Sequence, residues 1–224
     1  MIPALIPYFE TPSIPLFGDL AIHGFGVLVA IGFWVGTWLA TVKCRRDGLN
    51  PELPGSLVGY LIIATFVGGH LFHAFFYEWD HYRDNLVELL YFWDGLSSTG
   101  GLLCAIAVSI WFIKIKHKSP VLPYADALAW GLMTGWIFGR LGCFVAHDHP
   151  GMVTEFALGV VGICPASGES VACHDLGLYE AIWAMVCAII FHALDRKPRA
   201  PGFFVTLMCL FYGPYRFLSD FLRH

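Results

Sequence analysis

Charge is scarce in this chain. Asp, Glu, Lys and Arg together supply 13% of its 224 residues, against 57% hydrophobic, and mean hydropathy is +0.65. That balance excludes an ordinary soluble domain, the net charge of −4 adds little to it, and no nucleic-acid partner is expected. Repeats, low-complexity tracts and long linkers are missing, so residues 1–224 read as a single transmembrane domain. Neither a Gly-x-Ser-x-Gly elbow nor a phosphate-binding loop is present, so lipase-like and nucleotide-dependent mechanisms have no support in the sequence. The first twenty residues lack a basic stretch and carry Pro3, Pro7, Pro12 and Pro15. They are expected to remain as an outer-side interfacial segment rather than act as a cleaved signal.

What the chain has instead is apolar runs of spanning length, for which about 20 residues are needed. They fall at Ala21 to Val42, Ser56 to Tyr77, Ser97 to Ile113, Ala125 to Ala146, Leu176 to Leu194 and Phe203 to Phe221. The expected fold is therefore all-α, a polytopic membrane bundle of about six helices. Basic residues cluster on alternate connections: Lys43, Arg45 and Arg46; Lys114, Lys116 and Lys118; Arg196, Lys197 and Arg199. By the positive-inside rule those ends are cytoplasmic, which leaves both termini and the short 147–174 loop on the outer side. Cys104, Cys143, Cys187 and Cys209 fall within spans, and Cys44 at a helix end, where thiols act as small apolar groups. Cys164 and Cys173 share the outer loop and are expected to form a disulfide.

The few polar residues of the spans gather in the outer half. His70, His73 and Tyr77 share one helical face. Thr99 precedes Gly100 and Gly101; Arg140 and His147-Asp148-His149 end the fourth span; His174, Asp175, Tyr179 and Glu180 open the fifth. Arg216, Asp220 and Arg223 share a face beyond an expected kink at Pro214. Taken singly, His23, His81, His117, His192 and His224 read as boundary histidines, and Tyr77, Trp79 and Trp93 as interfacial aromatics. Arg216 with Asp220 could be a plain helical ion pair. Arginines, histidines and acids converging on one side of one bundle instead mark a polar cavity, because ionisable groups are costly in lipid.

In order along the chain stand Leu20-Ala-Ile-His-Gly-Phe-Gly26, Gly68-Gly-His-Leu-Phe-His-Ala-Phe-Phe-Tyr77, and Phe92-Trp-Asp-Gly-Leu-Ser-Ser-Thr-Gly-Gly101. Gly139-Arg-Leu-Gly142, Gly151, His174, Leu178-Tyr-Glu180 and Tyr212-Gly-Pro-Tyr-Arg-Phe-Leu-Ser-Asp-Phe-Leu-Arg223 follow. This ordered set resembles the prolipoprotein diacylglyceryl transferases of bacterial inner membranes. The resemblance implies transfer of a diacylglyceryl group from phosphatidylglycerol, through a thioether, to the lipobox cysteine of a prolipoprotein signal peptide, with release of glycerol phosphate. It implies Arg140, Arg216 and Arg223 as phosphate binders, since an arginine fork holds phosphate bidentately in a low-dielectric site. Thr99, Gly100, Gly101, Tyr179 and Glu180 join them as headgroup contacts. Arg140, His147, Asp148, His149 and His174 are the expected catalytic residues, with a base supplying the thiolate nucleophile.

The departures from the family pattern fall at the chemistry. Thr99 stands where the family has a histidine, Phe25 a tyrosine, Cys143 an asparagine and His70 an arginine, while the family's seventh span and larger outer region have no counterpart among the expected elements. Two other readings stay open. His70, His73, His147, His149 and His174, with Asp148 or Asp175, offer donors for zinc or iron in a metal-dependent lipid-modifying enzyme. A third reading is a non-catalytic homologue that binds anionic lipid or a lipoprotein precursor.

Overall fold

The computed structural model describes residues 6–15, 21–84, 86–91, 95–164 and 171–223. The expectations for Trp93 and His224, and for positions 1–5 and 16–20 of the N-terminal segment, lie outside the described residues. The fold is an all-α membrane bundle with small β-elements. In chain order come β1 (Ser13–Pro15), β2 (Ala21–His23), α1 (Gly24–Arg46), α2 (Leu53–Phe76), the short α3 (Trp79–Asp84), and a 3-10 turn, Leu86–Leu90. Then follow α4 (Ser98–Ile110), which runs on as a π-turn over Trp111–Lys116, and α5 (Val121–Ala146). β3 (Pro150–Val153), β4 (Val160–Val161), β5 (Ala172–Asp175), α6 (Leu176–Leu194) and α7 (Phe203–Asp220) complete the chain.

Five helical stretches among the described residues are long and apolar enough to cross a membrane: α1, α2, α4 with its π-turn, α5 and α6. The sixth expected span is α7, which is a helix but shorter and more polar, with Pro214 inside it. The large apolar side chains of these helices point outward, as lipid-facing surfaces do; Trp34 is 71% exposed and Ile189 64%.

The chain divides into two compact units, one of residues 1–43 with 125–224, the other of 44–124. In the first, α1 and α5 approach backbone to backbone. A Cβ on Gly32 would lie 2.7 Å from the Gly135 carbonyl, and Gly36 faces Gly131. Both helices thus carry glycines four apart on the contact face, the small-residue packing that suits helices in lipid. Ala129, Trp130 and Met133 of α5 pack on Cys187, Ala188 and Phe191 of α6 and Phe204 of α7. Asp126, on α5, accepts hydrogen bonds from the N–H groups of Gly202 (2.7 Å) and Val205 (2.9 Å), satisfying orphan donors at the start of α7. Lys43 meets Asp195 at 2.8 Å, both buried, which ties the end of α1 to the end of α6.

The segment read as a short loop, 147–174, instead carries nearly all of a three-stranded antiparallel sheet in the order β3-β5-β4. Its strands hold four residues or fewer, too short for alternation to stand out in sequence. The expected disulfide between Cys164 and Cys173 is present, and it fastens β5 to the turn after β4.

The second unit is built on α2 and α4. A Cβ on Gly68 would strike Cys104, and one on Gly100 would strike Phe72, so these glycines let two helices touch along their backbones. Ser97 caps α4 by accepting from the Gly100 N–H.

Candidate active site

In the first unit the ends of α5, α6 and α7 meet the three-stranded sheet. α5 stops in a Schellman turn: the His147 N–H donates to the Phe144 carbonyl (3.2 Å) and the Asp148 N–H to that of Cys143 (3.4 Å). His147 takes the left-handed conformation this turn requires, with φ +52°. Its Nε2 donates to the Phe9 carbonyl at 3.1 Å, and its Nδ1 lies 3.5 Å from Asp175, which is buried. His147 therefore joins the N-terminal segment, α5 and α6. Asp175 in turn caps α6, accepting from the Leu178 N–H at 2.9 Å. Burial pushes its carboxyl above the ordinary carboxylate range, opposed by the Leu178 N–H and His147.

Arg140 sits nearly two turns inside the same helix end. Its Nε meets Glu180 at 3.0 Å, its Nη1 donates to Cys143 Sγ at 3.7 Å, and its guanidinium lies 5.0 Å from the Trp136 ring centroid. The Trp136 indole N–H donates to the same Glu180 oxygen at 3.1 Å. Glu180 is buried, so Arg140 enters the site with its charge already balanced. Gly177 makes this approach possible, since a Cβ there would lie 2.8 Å from the Phe144 nitrogen.

Cys143, Asp148 and His149 form the corner beside Arg140. One donor atom of each lies within 4.8 Å of the others, and Asp148 Oδ1 is hydrogen-bonded to His149 Nδ1. Cys143 is buried, while Asp148 and His149 face outward with side chains 40% and 35% exposed. The His149 carbonyl accepts from the Leu176 N–H, so the corner is fixed to the start of α6. His174 bonds Tyr179 Oη through Nδ1 at 2.7 Å, and burial holds its imidazole below the ordinary histidine value.

At the end of α7, Arg216 and Arg223 share one carboxylate: Asp220 Oδ1 lies 3.6 Å from Arg216 Nη2 and 3.2 Å from Arg223 Nε. Two cations on one anion leave a net positive charge. The Met152 N–H donates to the Leu222 carbonyl at 2.8 Å, which docks this helix end on β3. Tyr215 lies within electrostatic reach of Arg140, Glu180 and Arg216, and its ring stacks on Trp183 at 5.4 Å.

The remaining expected site residues belong to the second unit. His70 is buried, with Nδ1 3.3 Å from the Gly95 carbonyl and its ring edge-on to Tyr82. His73 Nε2 lies 3.5 Å from Glu78. His73, Tyr77, Ser97, Ser98 and Thr99 line a cavity of about 320 Å³. Gly100 and Gly101 are buried against α2, where a Cβ on Gly100 would strike Phe72 and one on Gly101 would meet Thr65.

Of the expected metal ligands, His70 and His73 belong to the second unit and His147, His149 and His174 to the first. Among the described residues, the group close enough to share an ion is Cys143, Asp148 and His149; His147 and His174 are spent on Phe9, Asp175 and Tyr179. The sequence alone singles out neither Trp136 nor Tyr215, and Cys143 only as a departure from the family pattern. Trp136 and Cys143 stand four before and three after Arg140, which puts all three on one helical face.

Known proteins resemble this chain along most of its length. Residues 12–224 match the family model described as prolipoprotein diacylglyceryl transferase. The chain is 32% identical, over 96% of its length and 78% of the relative's, to a phosphatidylglycerol–prolipoprotein diacylglyceryl transferase of Pseudoalteromonas atlantica. A protein of the same description from Mannheimia succiniciproducens is 30% identical over 97% of this chain and 81% of its own. That from Chromohalobacter salexigens is 28% identical over 92% and 76%.

Proposed function

Because the chain belongs to the prolipoprotein diacylglyceryl transferase family, we propose that it transfers a diacylglyceryl group from an anionic phospholipid, phosphatidylglycerol, to a cysteine thiol of a prolipoprotein signal peptide. The observation that carries the reading is the shared carboxylate of Arg216 and Arg223, whose surplus positive charge suits a phosphodiester. In the reaction the acceptor sulfur forms a C–S bond to the glyceryl carbon, the C–O bond to phosphate breaks, and glycerol phosphate leaves with the electron pair. Arg216 and Arg223 stabilise charge on that leaving group, and Arg140, held by Glu180 and Trp136, orients the centre. The thiol proton is removed at the Cys143, Asp148 and His149 corner, where His149 is exposed enough to be reached. His174 and Tyr179 flank this centre as positioning groups.

The protein acts in a bacterial inner membrane with its termini and the site on the outer side. Two features support that orientation: Lys43 pairs with Asp195 beside the basic ends of α1 and α6, and the Cys164–Cys173 disulfide lies toward the opposite ends of the helices. Complementation tests the function. The wild-type chain is expected to restore lipoprotein modification in a bacterium depleted of its own transferase, and an Arg216→Ala, Arg223→Ala variant to fail. Well-expressed wild type that does not rescue would remove the standard acceptor.

A further inference from the structure

We propose that Cys143, Asp148 and His149 hold a zinc ion, whose open fourth position takes the acceptor cysteine as a thiolate. The inference rests on the thiol being alkylated in this site, and it says how that thiol loses its proton. The three side chains supply one sulfur, one oxygen and one nitrogen donor, all mutually within 4.8 Å. This mixed set suits zinc, and three protein ligands with a vacant fourth position is the pattern of reactive rather than structural zinc sites.

Local packing favours the arrangement. The Schellman turn, with the Asp148 N–H on the Cys143 carbonyl, folds Asp148 and His149 back over the last turn of α5, where Cys143 lies. The His149 backbone is anchored by Leu176, and Asp148 and His149 now share a hydrogen bond that a cation would replace. The neighbouring cation is no obstacle, because Glu180 at 3.0 Å neutralises Arg140. A thiolate and a carboxylate likewise neutralise Zn²⁺, so the occupied corner carries no net charge. Cys143 is buried and Arg140 donates to its sulfur, while Asp148 and His149 are open to an incoming peptide. A thiol bound to zinc is deprotonated outright, its proton passing to solvent. The bound sulfur then attacks the glyceryl carbon as the C–O bond to phosphate breaks, which needs no other base.

Protein carrying no polyhistidine tag is purified, its metal content measured, and the site then loaded with Co²⁺. Stoichiometric zinc is expected, and Co²⁺ should give a near-ultraviolet sulfur-to-metal charge-transfer band that Cys143→Ser abolishes and His149→Gln weakens at least tenfold in affinity. A lipobox peptide should strengthen the band, and the same peptide with serine for cysteine should not. Absence of the band in folded wild type, or its survival in Cys143→Ser, would overturn the site. A band that the cysteine peptide leaves unchanged would overturn the fourth-ligand assignment. Because these readouts are spectroscopic, failure here with intact transfer activity leaves His149 as a simple base and spares the proposed function.

Discussion

At the scale of single residues, the site is a set of charges each given a designated partner. Arg140 and Glu180 are both shielded, with side chains 16% and 5% exposed. Removing one partner strands the other, so Glu180→Ala should cost about 3–5 kcal/mol of stability by denaturant titration in detergent. Arg140 was legible from sequence as a charge near the end of an apolar helix. Glu180 reads in sequence as a headgroup contact, and its pairing with Arg140 is not visible there because the pair joins two different helices. His147 was harder to read: its neighbours suggest chemistry, but its partners are a carbonyl near the N-terminus and a helix cap, neither visible locally. His174 supplies a pH effect. Its imidazole is held below the ordinary value of 6.5, so the neutral form is the one the fold favours. The stability it contributes is fully present above 6.5 and is lost as pH falls through the lower folded value. His174→Gln should flatten that part of the profile of thermal midpoint against pH.

At the scale of elements, hydropathy located the helices well, and the expected Leu176 to Leu194 span coincides with α6. It could not say which helices pair. The glycine spacing of α1 and α5 was present in the sequence, yet only the fold reveals that Gly32 meets Gly135. Gly32→Leu should therefore cost about 1–3 kcal/mol or more through overpacking, whereas the same change at Gly26, where a Cβ meets nothing, should be nearly silent. Asp126 was invisible as a cap because it serves α7 from α5. Asp126→Ala should cost about 0.5–2 kcal/mol, read as a lower thermal midpoint, with Asp126→Asn recovering part of it. The small sheet escaped notice because its strands are short and its order, β3-β5-β4, is set by tertiary pairing.

At the scale of the whole molecule, the scarcity of charge makes each polar residue informative, and the family's chemistry supplies the frame. In that frame Thr99 and Cys143 belong to different units: Thr99 lines a cavity with His73, Tyr77, Leu96, Ser97 and Ser98 in the second, while Cys143 lies beside Asp148 and His149 in the first. The proposed orientation predicts that, in a Cys209→Ser background, a membrane-impermeant thiol reagent labels Glu155→Cys in intact spheroplasts and spares Lys197→Cys until the membrane is opened. The central claim is lipid transfer by this chain, and the most direct measurement is mass spectrometry of a lipobox peptide incubated with the purified protein in phosphatidylglycerol vesicles. The account predicts a thioether-linked diacylglyceryl adduct on the peptide cysteine and an equal yield of glycerol phosphate, both lost in Arg216→Ala, Arg223→Ala. Folded protein that leaves the peptide thiol free and releases no glycerol phosphate would contradict it.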